Sequence, residues 1–515
     1  GTIYSSEAGT GGTGTNNFFA GFQAGECNTT GSNNTFFGQN AGYGNTTGSY
    51  NNFFGQFAGY CNTEGAYADL PNHNNFFGSY AGYYNTGGEG NNFFGNGAGR
   101  YNTTGNFNNF LGYQAGRGQN KFISSISIDS YTTLVGEANN TYTDVSAMYG
   151  TGSGASFNIT RDENGDVSNV SISNPGTKYE VYDTLTIDGA NVGGSSGTDD
   201  ITLTVTDVLI STGNSNNFIG SYTGYSNTDG SYNNFIGANT GRNNTTGCFN
   251  NFIGEGPGYS NTTGCYNNFI GCLAGYINTT GSGNNFIGKG AGFYNTTGYY
   301  NNFFGFQAGF CNTTGFMNNF FGKCAGYSNT GGYLNNFFGN DAGYSNTTGS
   351  CNNFFGAQTG QYNTTGSYNN FFGNLAGRNN TTGTDNNFFG RYGGYCNTTG
   401  CDNNFFGRCA GYCNTTGYYN NFFGLDAGRN NTSGHNNNVF GCGAGYSNTI
   451  GSHNNFFGKY AGYCNTNGVY NNFFGLCAGY SNTCGSGNNF FGRYAGSYNT
   501  TGTDNNFFGR YGGYC

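Results

Sequence analysis

Proline occurs three times in 515 residues, histidine three times, and charged side chains make up only 8% of the chain. With so little proline and no Gly-X-Y period, a collagen triple helix is excluded. No run of about 18 apolar residues is present, which argues against a membrane-spanning helix. No signal peptide is visible at the start, Gly1. The basic footprint of a nucleic-acid binder is missing as well. His73, His435 and His453 stand singly at variable positions, and no Ser/His/Asp or Cys/His grouping has a motif around it. There is no phosphate-binding loop and none of the aspartate of calcium-binding nonapeptide solenoids. The chain is therefore expected not to be an enzyme, and no cofactor or metal is expected.

What is present is repetition. Glycine accounts for 99 residues and aromatics for 18%, too aromatic for a disordered chain. The unit N-N-F-F-G-x-x-A-G-x-x-N-T-T-G-x-x recurs 24 times, six times before a unique segment and eighteen times after it. Its positions are numbered 1 to 17 here. The first unit is read from Asn16, one residue longer than the rest, with Ala20 in place of the position-5 glycine. Strict periodicity over this length means stacked, nearly identical coils. The expected fold is all-β: a parallel β-solenoid of about 24 coils of 17 residues, with one small all-β domain inserted. The boundaries follow as a Gly/Thr-rich leader 1–15, repeats 16–118, an insert 119–210 and repeats 211–515. Segment 503–515 copies 384–396, so the chain reads as a processed product or a fragment of a longer array.

Glycines at positions 5, 9 and 15 predict three corners, each needing positive φ or close backbone approach. The stretches between them (N-F-F, x-x-A and N-T-T) are short enough to be strands of a three-sided or flattened coil. Positions 6, 7, 10, 11, 16 and 17 vary and are expected to face solvent. Position 8 is always small and predicts a tight interior corner. Asparagines at positions 1, 2 and 12 are read either as hydrogen-bonded ladders along the axis or as turn formers.

The paired aromatics at positions 3 and 4, such as Phe354-Phe355, Phe371-Phe372, Phe388-Phe389 and Phe405-Phe406, carry the sharpest expectation. Neighbours in a strand point to opposite faces. One column should fill the coil and the other should form an apolar stripe outside, unless a bulge turns both inward. An exposed stripe of that length calls for a cover, most simply another copy of the chain.

The insert has no 17-residue period. Segment 157–173 reads as a hairpin around Glu163-Asn164-Gly165. TLTID (184–188) and ITLTVTDVLI (201–210) add strands. Over 119–213 there are 12 acidic and 3 basic residues, against 12 and 12 in the repeats. The acidic balance of the chain thus sits in the insert. Asp162, Glu163 and Asp166 are read as a solvated hairpin tip rather than a cation site.

All 17 cysteines lie in the repeats. Cys396/Cys413 and Cys248/Cys265 occupy equal positions on adjacent coils, within the Cα reach of a disulfide. Both pairs are candidates for inter-coil staples, favoured by an oxidising, extracellular setting. Asn244, Asn363 and Asn414 open N-x-[ST] sequons at position 12 and would be glycosylation acceptors in a suitable host. Position 13 keeps its Thr while position 14 changes, which points to a structural reason for the Asn-Thr pair.

The unit N-N-F-F-G-x-x-A-G-x-x-N-T-T-G, as at Asn403 to Gly407, resembles the N-T-A-I-G-x-x-A-G-x-x-N-T-T-G repeats of phage tail-fibre-like proteins and bacterial surface adhesins. These are relatives of the YadA-like head repeat. The resemblance covers about 420 residues and rests on the glycines; Phe replaces Ala at position 3. TYTDV (141–145) and NPGTKYEVYDTLTIDG (174–189) resemble a small β-module of cyanophage structural proteins. The resemblance implies a left-handed β-roll that forms trimers. The functional expectation is a structural subunit of an extracellular filament or a virus or phage fibre. Its partner would be itself, as a trimer or filament. An adhesin gripping a surface glycan through tyrosines at position 10 (Tyr225, Tyr412, Tyr480) is the alternative, and an ice-binding threonine column a remote one.

Overall fold

The seventeen-residue period becomes one turn of chain. The computed structural model describes residues 3–4, 13–63, 72–118, 122–131, 133–134, 139–148, 153–177, 183–209 and 213–514. The described chain is all-β, a parallel β-solenoid with two small antiparallel sheets, and its one helical turn is the 3-10 segment Gly189–Val192. It forms two compact units, one of residues 1–233 with 244–246 and the other of 234–243 with 247–515.

The first unit holds seven coils, with strands from Phe18–Ala20 to Asn109–Leu111 and then Asn217–Ile219, together with the insert. The second holds seventeen, from Asn234–Ile236 to Asn506–Phe508. Within each unit, neighbouring strands pair parallel and in register. Phe354 lies opposite Phe371, with ring centroids 4.9 Å apart, close to the rung spacing of a sheet.

Only one strand forms per coil, the three residues at positions 2 to 4; x-x-A and N-T-T are turns. The reason is local. Position 5 has φ near +138° and positions 7 and 9 lie near +57°, as at Gly424, Asp426 and Gly428. A chain that alternates handedness this often cannot extend. The N-T-T turn still joins the coils by hydrogen bonds. The Thr432 carbonyl accepts from Thr415 N (2.9 Å), Thr416 N (3.0 Å) and Gly417 N (3.2 Å), and from Thr415 Oγ1 (3.0 Å).

The first coil corrects the reading of the sequence. Phe18 pairs with Thr35, Phe19 with Phe36 and Ala20 with Phe37. Asn17 therefore holds position 1 and Gly21, at φ +135°, holds position 5; the coil has its full seventeen residues and no exception. Asn16, at φ +58°, is the position-17 residue of a partial coil before it. The leader is also part of the sheet, because Ile3–Tyr4 pairs parallel with Phe18–Phe19.

The core of a coil is small. In the coil 403–419, Phe405 and Ala410 are fully buried beside Asn403 and Asn414. Stacked on Phe388 and Phe422 at 4.8 Å, the Phe405 ring fills the interior. Gly411 lies flat against it: a Cβ there would come within 2.4 Å of the ring, at φ +58°. The other corners differ in cause. Gly407 has φ +145°, whereas Gly417 has no positive φ and is set by close approach, since its Cβ would meet Asn414 Oδ1 and the Gly434 carbonyl at 2.4 Å.

The solenoid of the first unit continues past the insert. Asn109–Leu111 pairs directly with Asn217–Ile219, and Asn108 Nδ2 donates to the Gly213 carbonyl at 2.9 Å, so Gly213 serves as position 15 of the interrupted coil. The inserted residues Asn72 and His73 take the places of positions 16 and 17 of their coil, and 68–71 lie outside the described residues. In the 119–210 insert, Ser153–Arg161 pairs antiparallel with both Val167–Thr177 and Thr141–Ser146. Ile201–Leu209 pairs with Thr184–Ile187 and with Phe122–Ser130, a strand not foreseen from the sequence. Phe157, Ile159, Leu185, Ile187, Leu203 and Val205 form their shared core.

Candidate functional site

The outer surface of the strands is the most regular feature that faces solvent. Alternation along positions 2, 3 and 4 sends one side chain inward and two outward. Phe354, Phe371, Phe388 and Phe405 are fully buried. Phe355, Phe372, Phe389 and Phe406 are half-buried on the outside and stack at 4.7 Å from one coil to the next. There is no bulge. In the second unit position 4 is Ile or Phe in every coil, from Ile236 to Phe508. Beside this column runs a ladder of position-2 asparagines, each donating Nδ2 to the Oδ1 of the next, as Asn387 to Asn404 and Asn404 to Asn421 at 2.8 Å.

Inside, the other two asparagine columns have distinct tasks. At position 1, Asn403 donates Nδ2 to the Gly417 carbonyl (2.8 Å), and its Oδ1 accepts the backbone N–H of Asn420 (3.0 Å). At position 12, Asn414 donates to Asn397 Oδ1 (2.7 Å) and the Gly417 carbonyl (3.0 Å) and accepts from Asn431 Nδ2 (2.7 Å). A carboxamide supplies the two donors and the acceptor that Asn414 uses from one side chain. The sequon asparagines Asn244, Asn363 and Asn414 are these same residues and are fully buried. Asn363 Nδ2 is engaged with Asn346 Oδ1 (2.7 Å) and the Gly366 carbonyl (2.9 Å). In the folded coil the three offer no accessible amide to a glycan.

The cysteine pairs lie together as thiols and are not joined. Cys265 Sγ accepts the backbone N–H of Cys248 (3.1 Å) and donates to the Thr263 carbonyl (3.4 Å). Ser350 does the same work elsewhere, accepting from Tyr333 N at 3.2 Å and donating to the Thr348 carbonyl at 3.1 Å. Cys265 is thus a serine substitute whose sulfur is directed at backbone. The variable look of position 16 hid this role in the sequence. Burial, with the neighbouring Cys413 adding to it, pushes the Cys396 thiol up to about 11, so it is protonated at neutral pH and a poor nucleophile.

Tyrosines at position 10 stack on each other. Tyr327 and Tyr344 lie 4.9 Å apart, Tyr395 and Tyr412 5.1 Å. The outer faces of the second pair are covered by Arg378 over Tyr395 (5.8 Å) and Arg429 over Tyr412 (5.4 Å). Ring faces are therefore occupied, and the Tyr395 hydroxyl accepts from Arg378 Nη1 (2.8 Å). A groove of about 440 Å³ opens here between positions 6, 7 and 10, lined by Arg378, Arg408, Arg429, Tyr392, Tyr395 and Tyr412 among others.

Asp162 caps its own hairpin turn, accepting from Asn164 N (2.8 Å) and Asp166 N (3.1 Å). Among the described residues no group of three or more His, Cys, Asp or Glu could hold a metal ion, and no helix is long and apolar enough to cross a membrane. Compared with known proteins, the chain matches no family model, no curated protein and no solved structure.

Proposed function

We propose that this chain is a structural subunit, a self-associating β-solenoid of an extracellular filament or of a virus or phage fibre. The observation that carries the reading is the outer sheet surface of the second unit, where an unbroken apolar column runs beside an asparagine ladder. Its seventeen rungs at about 4.8 Å extend for about 80 Å, and a strip about 10 Å wide offers about 800 Å² per partner, the size of a specific interface. Identical rungs on a second copy match this surface at any whole-coil shift, which suits both closed bundles and filaments. The flat, repetitive, hydrogen-bonded stripe has the character of a steric zipper.

The tyrosine column gives less support to a glycan-gripping adhesin, because the ring faces that would stack on sugars already cover one another. An ice-binding surface is supported less still, since the position-13 hydroxyls donate to carbonyls of the next coil, as Thr415 Oγ1 does.

Sedimentation of the full chain tests the proposal. Multimers at micromolar concentration are expected, and Phe372→Gln with Phe406→Gln should dissociate them while the circular dichroism stays that of the parent. A parent that sediments as a stable monomer would overturn the reading.

A further inference from the structure

Charge on the repeats is balanced in total but not in place. From residue 371 onward, positions 6, 7, 10 and 11 carry seven cations and one carboxylate, Asp426. The other three acidic residues of this stretch, Asp385, Asp402 and Asp504, all stand at position 17. Positions 6, 7 and 10 share the groove described above, so the cations gather along one side of the coils.

The groove is built rather than accidental. Arg378 is held by Nε to Gln361 Oε1 (2.8 Å) and by Nη1 to the Tyr395 hydroxyl (2.8 Å). Arg429 contacts Asp426 at 3.2 Å. Between them Arg391 and Arg408 stand at the same position of consecutive coils, one rung apart, where like charges repel. Arg391 lies over Tyr392 (4.9 Å) and donates Nη2 to its hydroxyl (3.3 Å), while the Arg408 side chain is exposed. The arrangement recurs further along, with Lys459 over Tyr460 at 5.0 Å, Arg493 over Tyr494 at 5.1 Å and Arg510 over Tyr511 at 5.0 Å. A row of cations fixed on tyrosine rings, with the ring faces covered, suits an extended acidic partner rather than a neutral sugar.

The chain itself carries a partner of that chemistry. The 119–213 segment has 12 acidic and 3 basic residues, and its Glu163 and Asp144 are exposed. We infer that this cationic groove docks the acidic insert of a second copy, so that charge sets the register of association while the apolar stripe supplies area. The inference rests on the self-association proposed above and names a second surface for it.

The test uses the full chain in analytical ultracentrifugation at low and high salt. One variant combines Arg391→Glu with Arg408→Glu; the other combines Glu163→Lys with Asp144→Asn, Asn being chosen because residue 144 has φ +54°. Circular dichroism checks that both fold. Each variant alone is expected to associate about tenfold more weakly than the parent at low salt, and an equimolar mixture of the two should regain much of the loss, because one groove then meets an insert of opposite charge. High salt should erase the difference between parent and variants. Association that ignores both reversals or salt would overturn this inference and leave the apolar interface standing. Loss with the groove variant alone, unrescued by mixing, would overturn it in favour of a different polyanion, such as a sulfated polysaccharide. A parent monomeric at every salt concentration would instead sink the structural-subunit reading itself.

Discussion

Replacing Asn414 by Asp tests whether the interior is held by carboxamide geometry or by packing alone. The change keeps shape and volume but removes both donors. The Asn397 Oδ1 now 2.7 Å away and the Gly417 carbonyl at 3.0 Å would then face carboxylate oxygens, and the site is fully buried. Two stranded acceptors at about 1–3 kcal/mol each, with a buried charge added, give a loss of about 3–5 kcal/mol near neutral pH. Protonation restores one donor. Because the folded site disfavours the charged form, its carboxyl titrates above the usual ~3.9 of aspartate. The charge penalty is therefore absent below that value and grows as pH rises through the folded one. Asn374→Asp, at an exposed position 6, is the control and should cost under about 0.5 kcal/mol. Denaturant unfolding followed by circular dichroism, from acid to neutral pH, reads the difference. Hydrogen exchange should place the loosening in the coils next to Asn414, since stability in such arrays is a nearest-neighbour property. If Asn414→Asp matched Asn374→Asp at every pH, the ladders would be ornaments of a core held by phenylalanine.

Three further outcomes follow from the same geometry. Phe405→Ala should cost about 3–5 kcal/mol by emptying the coil, whereas Phe406→Ala, on the half-buried outer column, should cost under about 1.5 kcal/mol in the dissociated chain; equal losses in melts would contradict the inward and outward assignment. Gly411→Ala combines a left-handed φ with a ring contact and should lose about 2–4 kcal/mol, against little change for Thr416→Ala at an exposed position. Alkylation of Cys396 should stay slow at pH 8 and accelerate only as pH approaches 11; mass spectrometry showing rapid labelling at pH 8 would refute the half-buried, protonated thiol.

Much of the coil could be read from residues alone because the repeat supplies many versions of each position. Gly411 and Gly417 marked corners and Ala410 marked a tight interior, whereas the choice between the two phenylalanine columns stayed open until the burial of Phe405 and the partial exposure of the Phe406 row decided it. Other features left no such trace. Cys409 and Tyr419 adopt φ +57° and +54°, yet positions 7 and 17 hold almost any residue. There the hydrogen-bonding of adjacent coils imposes the left-handed backbone whatever the side chain, exposed as at Tyr419 or buried as at Cys409, so the residue type records nothing. The single strand per coil was missed for the same reason. The frame of the first unit was misread because Phe18, at position 2, imitates the usual phenylalanine pair. Cys265 acting as a serine could have been found from the serines at the same position, Ser282 and Ser350.

The four bonds accepted by the Thr432 carbonyl all come from the coil before it, and Thr432 in turn donates to the coil after. Unit after unit thus presents the same kind of socket upward and the same kind of plug downward. For the gene, this makes whole units interchangeable: unequal recombination that adds or drops seventeen codons leaves each socket filled, whereas a slip of one codon empties them all along the break. Tandem growth and shrinkage are then nearly neutral to folding, and the copy shared by 384–396 and 503–515 is the kind of trace such exchange leaves. Natural populations should accordingly vary in the number of units while keeping the period unchanged, which long-read sequencing of this locus would show.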